Sequence, residues 1–371
     1  MKEGWVYRLF KDVFPIKMGK TPPRSDSSSW DKKKETQNYW VSIADISQNE
    51  GNIIYDTKEY ITDKAAEKIF KVKANSLLMS FKLTIGKMAF AGTDLYTNEA
   101  IIAIPENKEY NLKFLYFYLS SYNWSSLTDG NEKVKGKTLN KESIGRIKLP
   151  IISLSDQQRI VSYLDSEFAK IEALKANAEK QFQAAKDLFQ AALKELLTPK
   201  EGWVNGILSD IAIIMHGKNQ KDVQNELGQY PIYGSGGTIM GYADDYLCEA
   251  GTTILGRKGT INNPQYIGTR FWNVDTAFGI SAKYDNDNKF LFYLIKLEDW
   301  TKRNTGTTLP SLTQTVIANV PISFPLKGEQ QRIADRLDAL SANVKALQSN
   351  YTETITLCND LKQALLKKVF E

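Results

Sequence analysis

The chain has 371 residues, of which 42% are hydrophobic and 25% charged, with a formal net charge of +5. This is the composition of a globular protein long enough for two or three cores. No apolar run approaches the roughly 18 residues of a membrane span, and the first residues lack the basic-then-apolar order of a secretory signal. The small positive balance allows nucleic-acid binding only through local basic patches. Two widely separated cysteines, Cys248 and Cys358, fit a cytoplasmic protein with free thiols; without an apolar span, no membrane partner is expected.

The chain opens with Glu3-Gly4-Trp5-Val6, then Asp12 and Gly19-Lys20. A polar stretch covers residues 24–38. Strand-like runs follow at 39–43, 76–80 and 100–104, and an aromatic helix is predicted over 112–122. Leu149-Pro150 leads to Gln157-Gln158-Arg159-Ile160. From there apolar residues recur at steps of three and four, through Leu164, Phe168, Ile171, Leu174, Ala178, Phe182, Ala185, Leu188, Ala192 and Leu196. That spacing predicts a long helix, capped by Ser155 or Asp156 and stopped by Thr198-Pro199.

The chain then repeats itself. Glu201-Gly202-Trp203-Val204, Asp210 and Gly217-Lys218 match the opening in register, and Val320-Pro321 leads again to Gln330-Gln331-Arg332-Ile333. Between these ends, strands are predicted at 252–255 and 278–281 and a helix at 289–297. A turn-rich Tyr233-Gly234-Ser235-Gly236-Gly237 stands near the place of the first unit's polar stretch. After the second Gln-Gln-Arg-Ile, the residues Ile333, Leu337, Leu340, Val344, Leu347, Tyr351, Thr354, Cys358, Leu361 and Leu365 keep a heptad rhythm. The expected fold is α+β: globular mixed α/β domains at 1–153 and 200–325, and long helices at 154–199 and 326–371. The helices are expected to pack as an antiparallel coiled coil, with the halves related by a pseudo-two-fold axis. Two related domains on such helices make a bivalent reader.

Catalytic signals are weak. The one histidine, His216, reads as a surface residue in a loop after an apolar strand. Gly251 to Lys258 begins like a phosphate loop but has Arg257 where lysine is needed, so a strand between turns is expected. Asn263-Pro264-Gln265-Tyr266 departs from an adenine-holding Asn-Pro-Pro-Tyr loop and reads as a proline turn. The chain is therefore expected to carry no catalytic site, metal or cofactor of its own. Cations in turn-rich places are the candidates for binding DNA: Lys20, Lys82, Lys87, Lys133, Lys135, Lys137, Lys218, Arg257, Lys258, Lys302 and Arg303.

Together these residues resemble the specificity subunit of a type I restriction–modification system over essentially the whole chain. Gly4-Trp5 to Asp12 and Gly202-Trp203 to Asp210 fit its repeated opening. Gly19-Lys20-Thr21-Pro22 with Trp40 to Asp45 resembles one class of target recognition domain. Tyr230 to Gly237 with Gly256-Arg257-Lys258-Gly259-Thr260 resembles another. Pro150 to Ile160 fits the closing motif; in the second copy Pro321 lies two residues further from its Gln-Gln-Arg-Ile. The resemblance implies a non-catalytic chain that reads a bipartite, asymmetric site in double-stranded DNA, one domain per half-site. It implies two modification subunits that methylate adenine with S-adenosylmethionine, and two restriction subunits that use ATP and Mg²⁺. It also implies helices that space the half-sites and dock the partners, with Gln157, Gln158, Arg159, Gln330, Gln331 and Arg332 as interface candidates. A methylation-only system is the near alternative, and a coiled-coil scaffold with two ligand-binding domains and no DNA partner the distant one.

Overall fold

The computed structural model describes residues 2, 4–127 and 139–371. They form two compact units, Met1–Ala176 with Thr354–Glu371, and Asn177–Glu353. No helix among the described residues is long and apolar enough to cross a membrane.

In the first unit the strands are β1 (Val6–Leu9), β2 (Tyr39–Val41), β3 (Ile53–Ile54), β4 (Glu59–Tyr60), β5 (Leu77–Ser80), β6 (Met88–Ala91), β7 (Tyr96–Thr97), β8 (Ile101–Ile104) and β9 (Lys148–Ile151). Helices α1 (Ile43–Gln48), α2 (Asp63–Ala66), α3 (Leu112–Ser120) and α4 (Lys141–Gly145) lie among them, and α5 (Leu154–Leu196) follows. The sheets are β3-β6-β5-β8, β4-β2-β7 and the pair β1-β9. The second unit has β10 (Val204–Ile207), β11 (Ala212–His216), β12 (Tyr230–Tyr233), β13 (Ile239–Ala243), β14 (Thr252–Gly256), β15 (Gln265–Ile267), β16 (Trp272–Asn273), β17 (Ala277–Ala282) and β18 (Pro321–Phe324). With α6 (Leu208–Ile211), α7 (Asn288–Leu297), α8 (Gln314–Ala318) and the long α9 (Lys327–Phe370), it builds the sheets β11-β17-β14-β15, β13-β12-β16 and β10-β18.

The repeat seen at the ends of the sequence continues through the interiors. β5 and β8 are buried along their whole length, which is why they read as unbroken apolar runs. Their antiparallel register pairs Ser80 with Ile101; β14 and β17 pair Gly256 with Ala277. The backbone bonds match as well. Phe10 N–H donates to Ile147 O at 2.8 Å, and Leu208 N–H to Val320 O at 2.9 Å. Leu139 N–H donates to Phe81 O at 2.9 Å, and Leu312 N–H to Arg257 O at 2.8 Å. Each unit closes over its own core, with Phe10, Leu77, Ile102 and Phe114 in the first and Leu208, Leu255, Phe278 and Trp300 in the second.

The glycine turn after β12 proves to have a different counterpart from the polar stretch at 24–38. That stretch precedes β2, whereas Gly234 to Gly237 follow β12. Their place in the first unit is taken by α1 and β3, so a tight turn stands where the first unit has a helix and an edge strand.

α5 runs for 43 residues, about 65 Å at 1.5 Å per residue. Its cap is Ser153, one turn before Asp156: the hydroxyl accepts the Asp156 N–H at 3.1 Å, so neither Ser155 nor Asp156 is the cap. In each unit the long helices run antiparallel. In the first, Cys358 is buried beside Ile171, Lys362 ion-pairs with Glu172 and lies over the Phe168 ring, and Phe370 packs on Phe114 and Tyr118. In the second, Phe182 stacks on Tyr351 with centroids 5.6 Å apart, and Phe189, Leu193 and Leu196 meet Ile333 and Leu337. The predicted apolar stripes need correction at three positions: Leu174 and Leu188 in α5 and Leu361 in α9 are exposed. The buried stripe passes instead through Phe189, Leu193, Leu366 and Phe370, because helical steps of three and four drift relative to a fixed heptad.

The first glutamine of each Gln-Gln-Arg-Ile joins its long helix to its domain. Gln157 is 0% exposed; its Oε1 accepts the N–H of Asn111, the N-cap of α3, at 2.8 Å. Its Nε2 donates to Glu109 O and Ile152 O. Gln330 is 1% exposed and repeats the pattern: Oε1 accepts from Asp287 N–H, the N-cap of α7, while Nε2 donates to Asn286 Oδ1 and Pro325 O. Replacing either carboxamide with leucine strands buried backbone groups. Gln330→Leu is expected to destabilise the second unit by about 1–3 kcal/mol, measured by denaturant unfolding. An unchanged midpoint would show that the bonds do not carry this role.

Candidate nucleic-acid interface

Each unit presents one hairpin between its central buried strand and the next. In the first, β5 turns into β6 through Phe81-Lys82-Leu83-Thr84-Ile85-Gly86-Lys87. In the second, β14 turns into β15 through Arg257-Lys258-Gly259-Thr260-Ile261 and the residues to Pro264. The strand register and the bonds Phe81 N–H to Ala100 O and Arg257 N–H to Thr276 O align the two tips. Lys82-Leu83-Thr84-Ile85 therefore superposes in sequence on Lys258-Gly259-Thr260-Ile261. The backbone at the second of these residues agrees with the match: Leu83 has φ +64° and Gly259 φ +82°, both left-handed. The shared Lys-x-Thr-Ile becomes an equivalence only through these registers, because nothing in the local sequence aligns the two tips.

A second element stands behind each hairpin. Gly19 and Gly217 let the chain pass so close to the neighbouring strand that a Cβ would overlap the carbonyl oxygen of Thr97 or Val274. The next residues lock the crossing, with Lys20 N–H donating to Thr97 O at 2.8 Å and Lys218 N–H to Asn273 O at 3.0 Å. An indole holds the carbonyl on the other side: Trp40 Nε1–H donates to Lys20 O, and Trp272 Nε1–H to Lys218 O. The indoles come from opposite members of the parallel strand pair, since Trp40 pairs with Tyr96 but Trp272 pairs with Ile232. Both lysine side chains are left exposed.

The candidate cations fall into distinct groups. Lys20, Lys82, Lys218, Arg257 and Lys258 have no acidic ion-pair partner among the described residues; Arg257 Nη1 donates to the Asp275 carbonyl at 3.0 Å. Lys82 acts through its field on Glu99. Burial opposes the charge there, but the Thr21 hydroxyl, backbone N–H groups and the Lys82 ammonium hold the carboxyl below its usual range. Lys87 is paired with Glu50, Arg303 with Glu298 at 2.9 Å, and Lys302 with Asp299 at 3.7 Å. The Lys302 pair is exposed and therefore weak. Lys133, Lys135 and Lys137 lie outside the described residues, in the segment before Leu139.

Of the interface candidates, Gln157 and Gln330 are consumed inside their own units and offer no docking surface. Gln158, Arg159, Gln331 and Arg332 are exposed, with Arg159 held by Asp156 at 3.0 Å and Arg332 Nε donating to Gly328 O at 3.2 Å. His216 is an exposed residue that closes β11 rather than a loop residue; its Nε2 meets Gln314 Oε1 at 3.0 Å. Gly251 to Lys258 forms strand β14 with its turns, and Asn263-Pro264 turns the chain into β15, with Asn263 Nδ2 donating to Gly236 O. That bond fastens the glycine turn beside the hairpin. Behind it, Asn273 is fully buried and accepts the Cys248 thiol at 3.2 Å; burial pushes that thiol up to about 12.

The family model of the type I restriction modification DNA specificity domain matches twice, at residues 2–181 and 200–357. The chain belongs to this family. The two matches coincide with the two repeats, and so with the two hairpins. The specificity subunit of the EcoDI type I restriction enzyme of Escherichia coli is 20% identical over 166 residues, covering 44% of this chain and 37% of that subunit. This chain thus spans well under half the length of that relative. Among solved structures, one chain comes from work on complex assembly and conformational transition of the type I R-M system. It superposes with a TM-score of 0.80 at 17% identity, covering 100% of this chain and 98% of that one. The HsdS subunit of Thermoanaerobacter tengcongensis gives a TM-score of 0.60 at 16% identity, covering 100% and 97%. These likenesses establish the specificity-subunit fold, with its paired domains and long helices.

Proposed function

We propose that the chain reads a bipartite site in double-stranded DNA, one half-site per unit. The observation that carries this reading is the recurrence of one hairpin tip, Lys-x-Thr-Ile with a left-handed second residue, at equivalent places in both units. Cations on both tips lack acidic partners, so they are available to phosphates and base edges. The residues around the tips differ: Phe81 is buried where Arg257 reaches the surface. Equivalent placement with different side chains suits two half-sites of different sequence.

The chain itself performs no catalysis in this reading. Two modification subunits, supplied with S-adenosylmethionine, methylate adenine; two restriction subunits use ATP and Mg²⁺, all in the cytoplasm. Exposed Gln158, Arg159, Gln331 and Arg332 at the bases of the long helices are candidate contacts for these partners. Membership in the specificity family and likeness to a chain from a type I R-M assembly support the proposal.

Duplex binding measured against salt tests the DNA reading. The full chain is expected to lose affinity steeply as salt rises, and Lys258→Ala to reduce the slope of log K against log salt by about 0.9 without changing sequence preference. Salt-independent or absent binding would overturn the proposal.

Arg257→Ala is expected to behave differently. Its guanidinium can make a bidentate contact to a guanine edge, so its loss should cost about 1–3 kcal/mol and relax one position of one half-site. Selection from a randomised duplex pool reads this out. An unchanged motif and affinity would make Arg257 an ordinary turn residue.

A further inference from the structure

We infer that Leu83 is an apolar reader in the half-site of the first unit, with the C5 methyl group of a thymine as its ligand. The inference rests on the DNA-reading proposal and goes beyond it to one residue and one chemical group.

Three observations converge on Leu83. Its backbone is left-handed, with φ +64°, a conformation that crowds the Cβ of an L-residue. The Thr84 N–H closes back on Lys82 O at 2.7 Å around it, which makes the tip a three-residue turn of the uncommon positive-φ kind. The side chain is 66% exposed and belongs to none of the hydrophobic clusters formed by the described residues of its unit. A leucine here costs conformational energy and gains no packing in a core among the described residues. Backbone strain of this sort points to function when nothing in the fold recovers its cost.

The second unit shows what the fold itself requires. Gly259 occupies the same position without strain. The neighbouring position differs in a linked way. Ser80 is fully buried, and its hydroxyl donates to the Thr84 carbonyl, bracing the tip from below. Its counterpart is Gly256, where a Cβ would overlap the carbonyl oxygen of Thr260. The Thr260 carbonyl thus fills the space that the Ser80 side chain takes in the first unit. The first hairpin is built up on a serine and carries an exposed leucine; the second is seated on a glycine and carries none.

The surroundings select the occupant. Lys82, next in the chain, has no acidic ion-pair partner among the described residues, and the unpaired Lys20 stands behind the hairpin. A cation that can take a phosphate beside an exposed apolar group matches a nucleotide whose base edge carries a methyl. In the major groove the thymine methyl is the apolar feature that distinguishes one base pair from the others.

The test uses the full chain and a randomised duplex pool. The parent should select a motif with a thymine at the position read by Leu83. Leu83→Gly removes the side chain and the strain together, so its melting midpoint should hold or rise while affinity for the parent motif falls about fourfold, the value of one buried methyl group. The loss should be confined to one position of one half-site. Deoxyuridine in place of that thymine removes only the methyl. It should cost the parent about the same factor and cost Leu83→Gly nothing, because the two changes delete one contact. An unchanged motif and affinity in Leu83→Gly, or deoxyuridine tolerated by the parent at every thymine, would overturn the inference while leaving the DNA-reading proposal standing. Absence of salt-dependent duplex binding by the parent would overturn both.

Discussion

A buried carboxamide governs how each domain meets its helix. Gln157 and Gln330 each accept from the N-cap N–H of an aromatic helix and donate to a carbonyl five residues back, at the root of a long helix. A buried amide with both ends occupied tolerates little rotation, since any shift strands a donor or an acceptor. The direction in which the long helix leaves the domain is thereby set by hydrogen bonds rather than by apolar contact alone. The paired cores, Phe370 against Phe114 in one unit and Phe189 against Tyr293 in the other, then pack around a fixed geometry.

From that root outward, the same backbone bonds recur in both units while the side chains on them change. The crossing behind each hairpin keeps its glycine, its lysine N–H bond and its indole cap, yet the indole arrives from β2 in one unit and β16 in the other. The hairpin keeps its lysine and threonine, yet swaps Ser80 for Gly256 and Leu83 for Gly259. Backbone-to-backbone hydrogen bonds make this possible: they hold a loop in place without specifying the residues that project from it. Such a scaffold can present different recognition surfaces at no cost to its own geometry.

The sequence carried much of this. The repeated ends, the two long helices with their antiparallel packing, and strands such as 252–255 and 278–281 were all legible, because each rests on local spacing or on a long buried apolar run. What escaped was the interior of the repeat. Lys82 and Lys258 each stand out as cations in turns, but equating them requires the β5–β8 and β14–β17 registers, which only the folded pairing supplies. Glutamine is ambiguous for a related reason. A Gln-Gln-Arg-Ile on a helix looks like a polar surface, and nothing local shows that the first amide turns inward to bond Asn111 or Asp287. The heptad drift that exposes Leu174, Leu188 and Leu361 likewise depends on which face the partner helix covers.

We propose that each unit reads its own half of one DNA site on a shared scaffold. Exchange of residues 200–325 for the corresponding segment of a relative with another specificity tests it most directly. The motif is read from methylation patterns when the chimera is expressed with its modification subunits. One half of the motif is expected to change to that of the donor while the other half is kept. An active chimera in which both halves change, or neither does, would contradict it.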